Sequence, residues 1–215
     1  MTLDELLNEA KALKRETLLL KPNGSGDVVA KWYEINDDEL ERTNHICWLS
    51  VDSNFIPGVS LNEGQRFLTI FSNEEDCESG KVELSASFPA RDGMDLYAEQ
   101  VDILPPIDAL IAKGGGKIGD WLESNNWKRN ERYHSGFGDH ELVKQYLDLE
   151  YSQNPITRND GSYAVLGGWH EPGPDDDWHD LLEYSLCVLT LENSEPWIET
   201  WFKSNNEFQV IQRTT

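Results

Sequence analysis

A strict alternation of apolar and polar residues runs from Lys81 to Pro89. This period of two is typical of a strand with one buried face and one solvent-exposed face. The preceding apolar run, Arg66–Ser72, predicts the other strand of a hairpin, joined to the first by the acidic loop Asn73–Gly80. Further apolar or alternating runs predict strands at Val28–Ile35, Ile46–Val51, Asp95–Leu104, Ser162–Trp169, Tyr184–Leu191, Trp197–Lys203 and Phe208–Arg213.

Helical spacing is strongest at the start of the chain. Thr2 and Glu5 have the spacing of a capping box, and an apolar stripe from Leu3 to Leu13 follows at helical intervals. Basic residues follow the stripe, and they are favourable near the C-terminus of a helix. The pattern therefore predicts a helix that ends near residue 16. Shorter helices are predicted at 107–112, at 119–126, after the capping residue Asp139, and at 175–183.

These elements predict an α+β fold, in which an antiparallel or mixed sheet packs against several short helices and ends in a C-terminal β-meander. A chain of 215 residues can form one large domain or two small ones. We expect a single domain over residues 1–215. The break at Pro105-Pro106 is the one place where the chain could be subdivided.

The charge balance excludes several classes of partner. The chain carries 40 acidic and 18 basic residues, a formal net charge of −22. Residues 1–104 hold 21 acids and 9 bases and residues 105–215 hold 19 and 9, so the acidity belongs to the folded body. Nucleic acids and anionic membranes require an excess of Lys and Arg, and neither is an expected partner. A basic protein is the partner that this charge favours.

The cysteines and the first residues predict a cytoplasmic location. Cys47, Cys77 and Cys187 are few, odd in number and far apart, which argues against a disulfide framework or a cysteine zinc site. The first residues include acids where a signal peptide has bases, and no apolar run has the length of a membrane span.

A dense polar loop between a predicted strand and a predicted helix, residues 167–180, is the strongest candidate site. Imidazole and carboxylate groups could serve there as metal ligands or as general acids and bases. The spacing fits no known ligand motif, and a helix cap with two tryptophan anchors is the simpler explanation of the loop. The candidate binding residues are Trp169, His170, Glu171, Asp175, Asp177, Trp178, His179 and Asp180.

Two weaker features could bind an anion. A glycine-rich turn precedes Lys117, and the chain has one basic patch, which is flanked by aromatic residues. The turn does not match a phosphate-binding loop, because Ile118 stands where that motif has Ser or Thr. The anion-binding candidates are Lys117, Lys128, Arg129 and Arg132.

We therefore expect a soluble acidic binding protein without catalysis, of the inhibitor or immunity type, with a basic partner and no cofactor. A metal-dependent or acid/base hydrolase with its site in the 167–180 loop is the alternative. A third reading assigns the acidity to solubility alone. No arrangement of a nucleophile with a base indicates an enzyme, so the sequence favours the first.

Overall fold

The structure is a computed structural model. It describes residues 2–43, 45–57, 59–73, 80–105, 110, 120, 141–153, 162–168, 189–190, 197–203 and 207–213. The chain divides into two compact units. The first, here called the helical unit, comprises Met1–Glu16, Asp102–Arg158 and Gly168–Glu183. The second, the sheet unit, comprises Thr17–Val101, Asn159–Gly167 and Tyr184–Thr215. The single-domain organisation stays a prediction.

Two helices are described in the helical unit, α1 (Leu3–Ala12) and α3 (Glu141–Gln153). The capping box at the start of α1 is confirmed: the Glu5 N–H donates to the Thr2 hydroxyl, and the Thr2 N–H donates to the Glu5 carboxylate. The helix ends four residues earlier than predicted. Its apolar stripe contributes to a buried cluster made of Leu6, Ala10, Leu104, Leu110 and Tyr146.

Ten strands are described, and every pair whose register is resolved is antiparallel. Their order across the sheet is β10-β9-β8-β7-β1-β6-β2-β3-β4-β5. An antiparallel sheet accompanied by helices confirms the α+β class. The strands are β1 (Arg15–Lys21), β2 (Ala30–Tyr33), β3 (His45–Asp52), β4 (Phe67–Asn73), β5 (Lys81–Ser85), β6 (Met94–Ile103), β7 (Ala164–Gly167), β8 (Leu189–Thr190), β9 (Trp197–Lys203) and β10 (Glu207–Arg213).

The sheet curls around its main core, so that β10 lies against β4 and β5. At this contact the Val210 side chain fills the space beside Gly80 where any other residue would carry its Cβ. The inward-facing residues of seven strands form one buried cluster with Val29 and Ile56. Its strand members are Leu18, Leu20, Ala30, Leu49, Val51, Leu68, Ile70, Leu96, Ala164, Leu166 and Val210.

Further differences from the sequence-based expectation concern two elements that were not predicted and the end of one strand. Strand β1 and helix α2 (Asp37–Thr43) were not predicted. The hairpin strand β5 ends at Ser85 rather than at Pro89. The apolar alternation continues past the strand because Phe88 turns back onto the sheet, where its ring lies 4.2 Å from that of Phe67, centroid to centroid.

Other predictions lie largely outside the described residues. Apart from Leu110 and Asp120, this is true of the short helices at 107–112, 119–126 and 175–183. It is also true of the links 191–196 and 204–206, so the C-terminal β-meander stays a prediction. Over the part of the chain that the structure describes, no helix combines the length and apolarity that a membrane crossing requires.

Candidate functional site

The loop predicted to form a site, from Trp169 to Asp180, lies outside the described residues. The structure does describe how the chain approaches it. Strand β7 ends at Gly167, and Gly167 and Gly168 are buried with φ angles of 69° and 80°. Two successive left-handed residues favour glycine at both positions. The binding or metal site in this loop stays a prediction.

The anion-binding candidates lie outside the described residues as well; they are Lys117, Lys128, Arg129 and Arg132. Within the described ranges, no three side chains of His, Cys, Asp and Glu come together in a way that could hold a metal ion. None of the predicted site residues is among the described residues, and the candidate site described below was not predicted from the sequence.

Basic side chains of the sheet unit are held between an aromatic ring and a carboxylate. Arg66 is one example, since its Nη2 lies 2.6 Å from Asp52 Oδ2 and its guanidinium carbon lies 5.2 Å from the centre of the Phe67 ring. The Asp52 side chain is only 2% exposed, and its other oxygen accepts the Asn54 N–H at 3.1 Å. The hydrogen bond that Arg66 donates to Asp52 raises the pKa of Arg66. The neighbouring carboxylate and ring therefore offset most of the positive charge of each such side chain.

Two lysines on the same sheet repeat this arrangement. Lys31 Nζ lies 2.8 Å from Asp95 and 5.7 Å from the centre of the Phe88 ring. Lys81 Nζ lies 2.8 Å from Glu83 Oε1 and 4.7 Å from the centre of a phenylalanine ring on β4. The ammonium groups of both lysines therefore interact with a carboxylate and a ring of the protein itself.

Arg91 makes the most extensive of these contacts. Its Nη1 donates to Glu39 Oε1 at 2.6 Å, and its Nη2 donates to Glu39 Oε2 at 3.1 Å and to the Glu34 carbonyl at 3.0 Å. The guanidinium also lies over the Tyr33 ring, 5.5 Å from its centre. The hydrogen bond from Arg91 holds the pKa of Glu39 below its usual value. Burial raises the pKa of Tyr33 to about 12.

Helix α2 depends on this contact because it contributes no residue to the buried core. The Asn36 side-chain oxygen accepts the Glu39 N–H at 2.9 Å, as an N-cap residue does, and Asp37 and Asp38 lie in the first turn. At the other end, the Thr43 hydroxyl donates to the Glu39 carbonyl. These two hydrogen bonds are local to the helix, and the Arg91 contact joins it to the rest of the sheet unit.

The remaining acids of this region form what we call the acidic corner: Glu34, Asp37, Asp38 and Glu41. All four side chains are exposed, and none has an ion pair with another described residue. Helix α2 contributes one basic residue, Arg42. Glu39 is paired with Arg91, so the corner presents four further carboxylates against one cation of the helix, Arg42.

An excess of unpaired acidic over unpaired basic side chains extends over residues 17–101. Five of the six basic side chains here form ion pairs: Lys21 with Glu99, Lys31 with Asp95, Arg66 with Asp52, Lys81 with Glu83 and Arg91 with Glu39. Three exposed acids outside the acidic corner have no described ion pair, namely Asp27, Glu63 and Asp92. The described surface of this stretch therefore has a negative field, with its greatest local density at the acidic corner.

One sequence signal could have revealed the corner. Asn36 is followed directly by Asp37, Asp38 and Glu39, which is the composition of a capped helix start. The signal was missed because α2 lacks the apolar periodicity on which helix prediction depends. The Arg91 contact could not be predicted at all, since it joins residues 52 positions apart.

Comparison with known proteins gives no match: no family model, curated protein or solved structure is significantly similar to this chain. The candidate function therefore rests on the chemistry of the described surface alone.

Proposed function

We propose that this protein binds a basic partner without catalysing a reaction, and that the acidic corner is part of the contact surface. An inhibitor or immunity protein for a basic enzyme or toxin has this chemistry. The observation that carries the proposal is a set of four exposed carboxylates, none of them in an ion pair with another described residue. They lie on and beside a helix that Arg91 fixes to the sheet unit.

Long-range attraction between the acidic surface and a basic partner supports the proposal. A negative surface field attracts a positive partner over distances of about a Debye length, which is ~8 Å at physiological ionic strength. Such a field raises the association rate and rejects acidic partners. The internal pairing of the basic side chains serves this purpose, because it leaves few cations free to repel the partner.

The corner is favoured over the rest of the acidic surface for two reasons. Its four carboxylates lie within eight residues of sequence, so they can meet one basic segment together. Their helix is fixed at both ends by hydrogen bonds, so that less conformational freedom is lost when a partner binds.

A comparison of two charge-matched variants tests the proposal. The corner variant carries Glu34→Gln, Asp37→Asn, Asp38→Asn and Glu41→Gln. The control variant carries Asp27→Asn, Glu63→Gln, Asp92→Asn and Glu207→Gln, which removes four other exposed carboxylates and gives the same net charge. The probe is a fluorescently labelled arginine-rich peptide, and its affinity is measured by anisotropy at physiological salt.

We expect the corner variant to bind the peptide about five- to tenfold more weakly than the native protein, with a clearly smaller loss for the control. Equal losses in the two variants would contradict the proposal, because the acidity would then act as a diffuse field that serves solubility. Unchanged binding in the corner variant would also contradict it. Circular dichroism confirms that both variants are folded.

A further inference from the structure

The loop between β1 and β2 exposes an asparagine that is followed by glycine. Both Asn23 and Gly24 are exposed. Neither the Asn23 side chain nor the Gly24 N–H makes a hydrogen bond to another described residue. We propose that Asn23 is a site of spontaneous deamidation in the folded protein, which converts it slowly into aspartate and isoaspartate.

The chemistry requires only water as a co-reactant. The backbone nitrogen of Gly24 loses its proton to solvent and attacks Cγ of the Asn23 side chain. A new C–N bond closes a five-membered succinimide, and the side-chain amide leaves as ammonia. Water then opens the ring at either carbonyl, which gives an aspartate or an isoaspartate residue. Glycine permits the attack because it has no Cβ to obstruct it and because it reaches the necessary backbone angles.

The packing of this loop explains why a reactive pair persists at this position. A Cβ built on Gly24 would fall against the Tyr97 side chain and lie 2.9 Å from its Cγ. Any larger residue at position 24 would therefore displace Tyr97. The fold requires glycine for the close approach, and the same glycine leaves the Asn23 side chain open to attack.

Other asparagines in the described part of the chain lack this combination and serve as internal controls. The Asn36 side-chain oxygen already accepts the Glu39 N–H, and Asp37 follows it in the first turn of α2. Asn62 is exposed, but it is followed by Glu63, whose side chain hinders the attack. Deamidation should therefore single out Asn23 among these three.

The expected product differs from the native chain in charge and in backbone length. Each event adds one carboxylate to an already acidic surface near the exposed Asp27. The isoaspartate form also inserts one backbone carbon next to Gly24, where the Tyr97 side chain leaves little room. The site goes beyond the proposed binding function and does not depend on it.

The test is to incubate the full-length protein in mildly alkaline buffer, both folded and in urea, and to follow Asn23, Asn36 and Asn62 by peptide mass mapping. We expect folded Asn23 to convert about tenfold faster than Asn36 or Asn62. Its rate in the folded state should approach its rate in urea. In the Asn23→Gln variant, which would need a less favourable six-membered ring, the conversion at this position should be lost.

Two results would overturn the proposal. The first is conversion of Asn62 or Asn36 at the same rate as Asn23, which would mean that the following glycine and the open geometry do not matter. The second is a rate for folded Asn23 far below its rate in urea, because the fold would then protect the site.

Discussion

The Arg91 guanidinium donates hydrogen bonds from two nitrogens to the Glu39 carboxylate, at 2.6 and 3.1 Å, although the residues are 52 positions apart. This bidentate pair joins the segment after β5 to helix α2, which has no buried residue of its own. A third hydrogen bond, to the Glu34 carbonyl, fixes the residue at which the acidic corner begins. The position of the corner on the sheet unit therefore depends on one arginine.

Replacing Arg91 by alanine should detach α2. The change removes three charge-assisted hydrogen bonds and leaves the Glu39 carboxylate, which is 11% exposed, without its partner. We expect a loss of about 1–3 kcal/mol in the free energy of unfolding, measured by urea denaturation. The free energy of unfolding of Arg91→Lys should lie between those of the native protein and Arg91→Ala, since lysine keeps the charge but not the bidentate geometry.

Lys81→Ala is the matched control for this change. Lys81 also pairs with a carboxylate and lies over a ring, but both members of its pair are at least half exposed. Its removal should cost less than about 1 kcal/mol. Equal losses for Arg91→Ala and Lys81→Ala would contradict the special role given to Arg91.

The Glu39–Arg91 pair should also make stability depend on pH. The pKa of Glu39 is lowered in the folded state, so its contribution is fully present above the unfolded pKa of about 4.3 and is lost as the pH falls through the folded value. The stability difference between the native protein and Glu39→Gln should therefore shrink between neutral and strongly acidic pH. Urea midpoints over this range measure it, and a constant difference would rule out the effect.

Local pattern predicted the elements whose apolar periodicity coincides with burial. Helix α1 and the hairpin strands β4 and β5 belong to this group. Strand β1 was missed because Thr17–Leu20 are buried at four successive positions and show no alternation. Helix α2 was missed for the opposite reason, since it contributes no residue to the buried core. The ion pair that positions the acidic corner, Arg91 with Glu39, joins distant residues, and no local spacing could have indicated it.

The hydroxyl of Tyr146 should stabilise the helical unit. It is buried in α3 and donates to the Pro105 carbonyl at 2.6 Å, and burial raises its pKa. Tyr146→Phe keeps the ring but leaves that carbonyl without this donor, which should cost about 1–3 kcal/mol. Thermal or urea unfolding of the variant measures the loss. The Tyr97 side chain is half-buried, and its hydroxyl makes no hydrogen bond to another described residue, so Tyr97→Phe should be nearly neutral.

The contact between β5 and β10 can be tested with a double-mutant cycle. A Cβ on Gly80 would lie 2.6 Å from Val210 Cβ, so Gly80→Ala should destabilise the protein by about 1–3 kcal/mol. In a Val210→Gly background, which makes room for the new methyl group, the same change should cost much less. Additive effects of the two substitutions would mean that position 80 does not lie against the Val210 side chain in solution.

The central claim is that the acidic corner, rather than the total charge, directs a basic partner to this protein. The most direct test is the association rate of the arginine-rich peptide, measured by stopped-flow fluorescence as ionic strength is raised. We predict that the native protein and the charge-matched control keep a steep decline with salt, whereas the corner variant associates more slowly and with a shallower decline. Identical salt dependence in the corner variant and the control would contradict the claim.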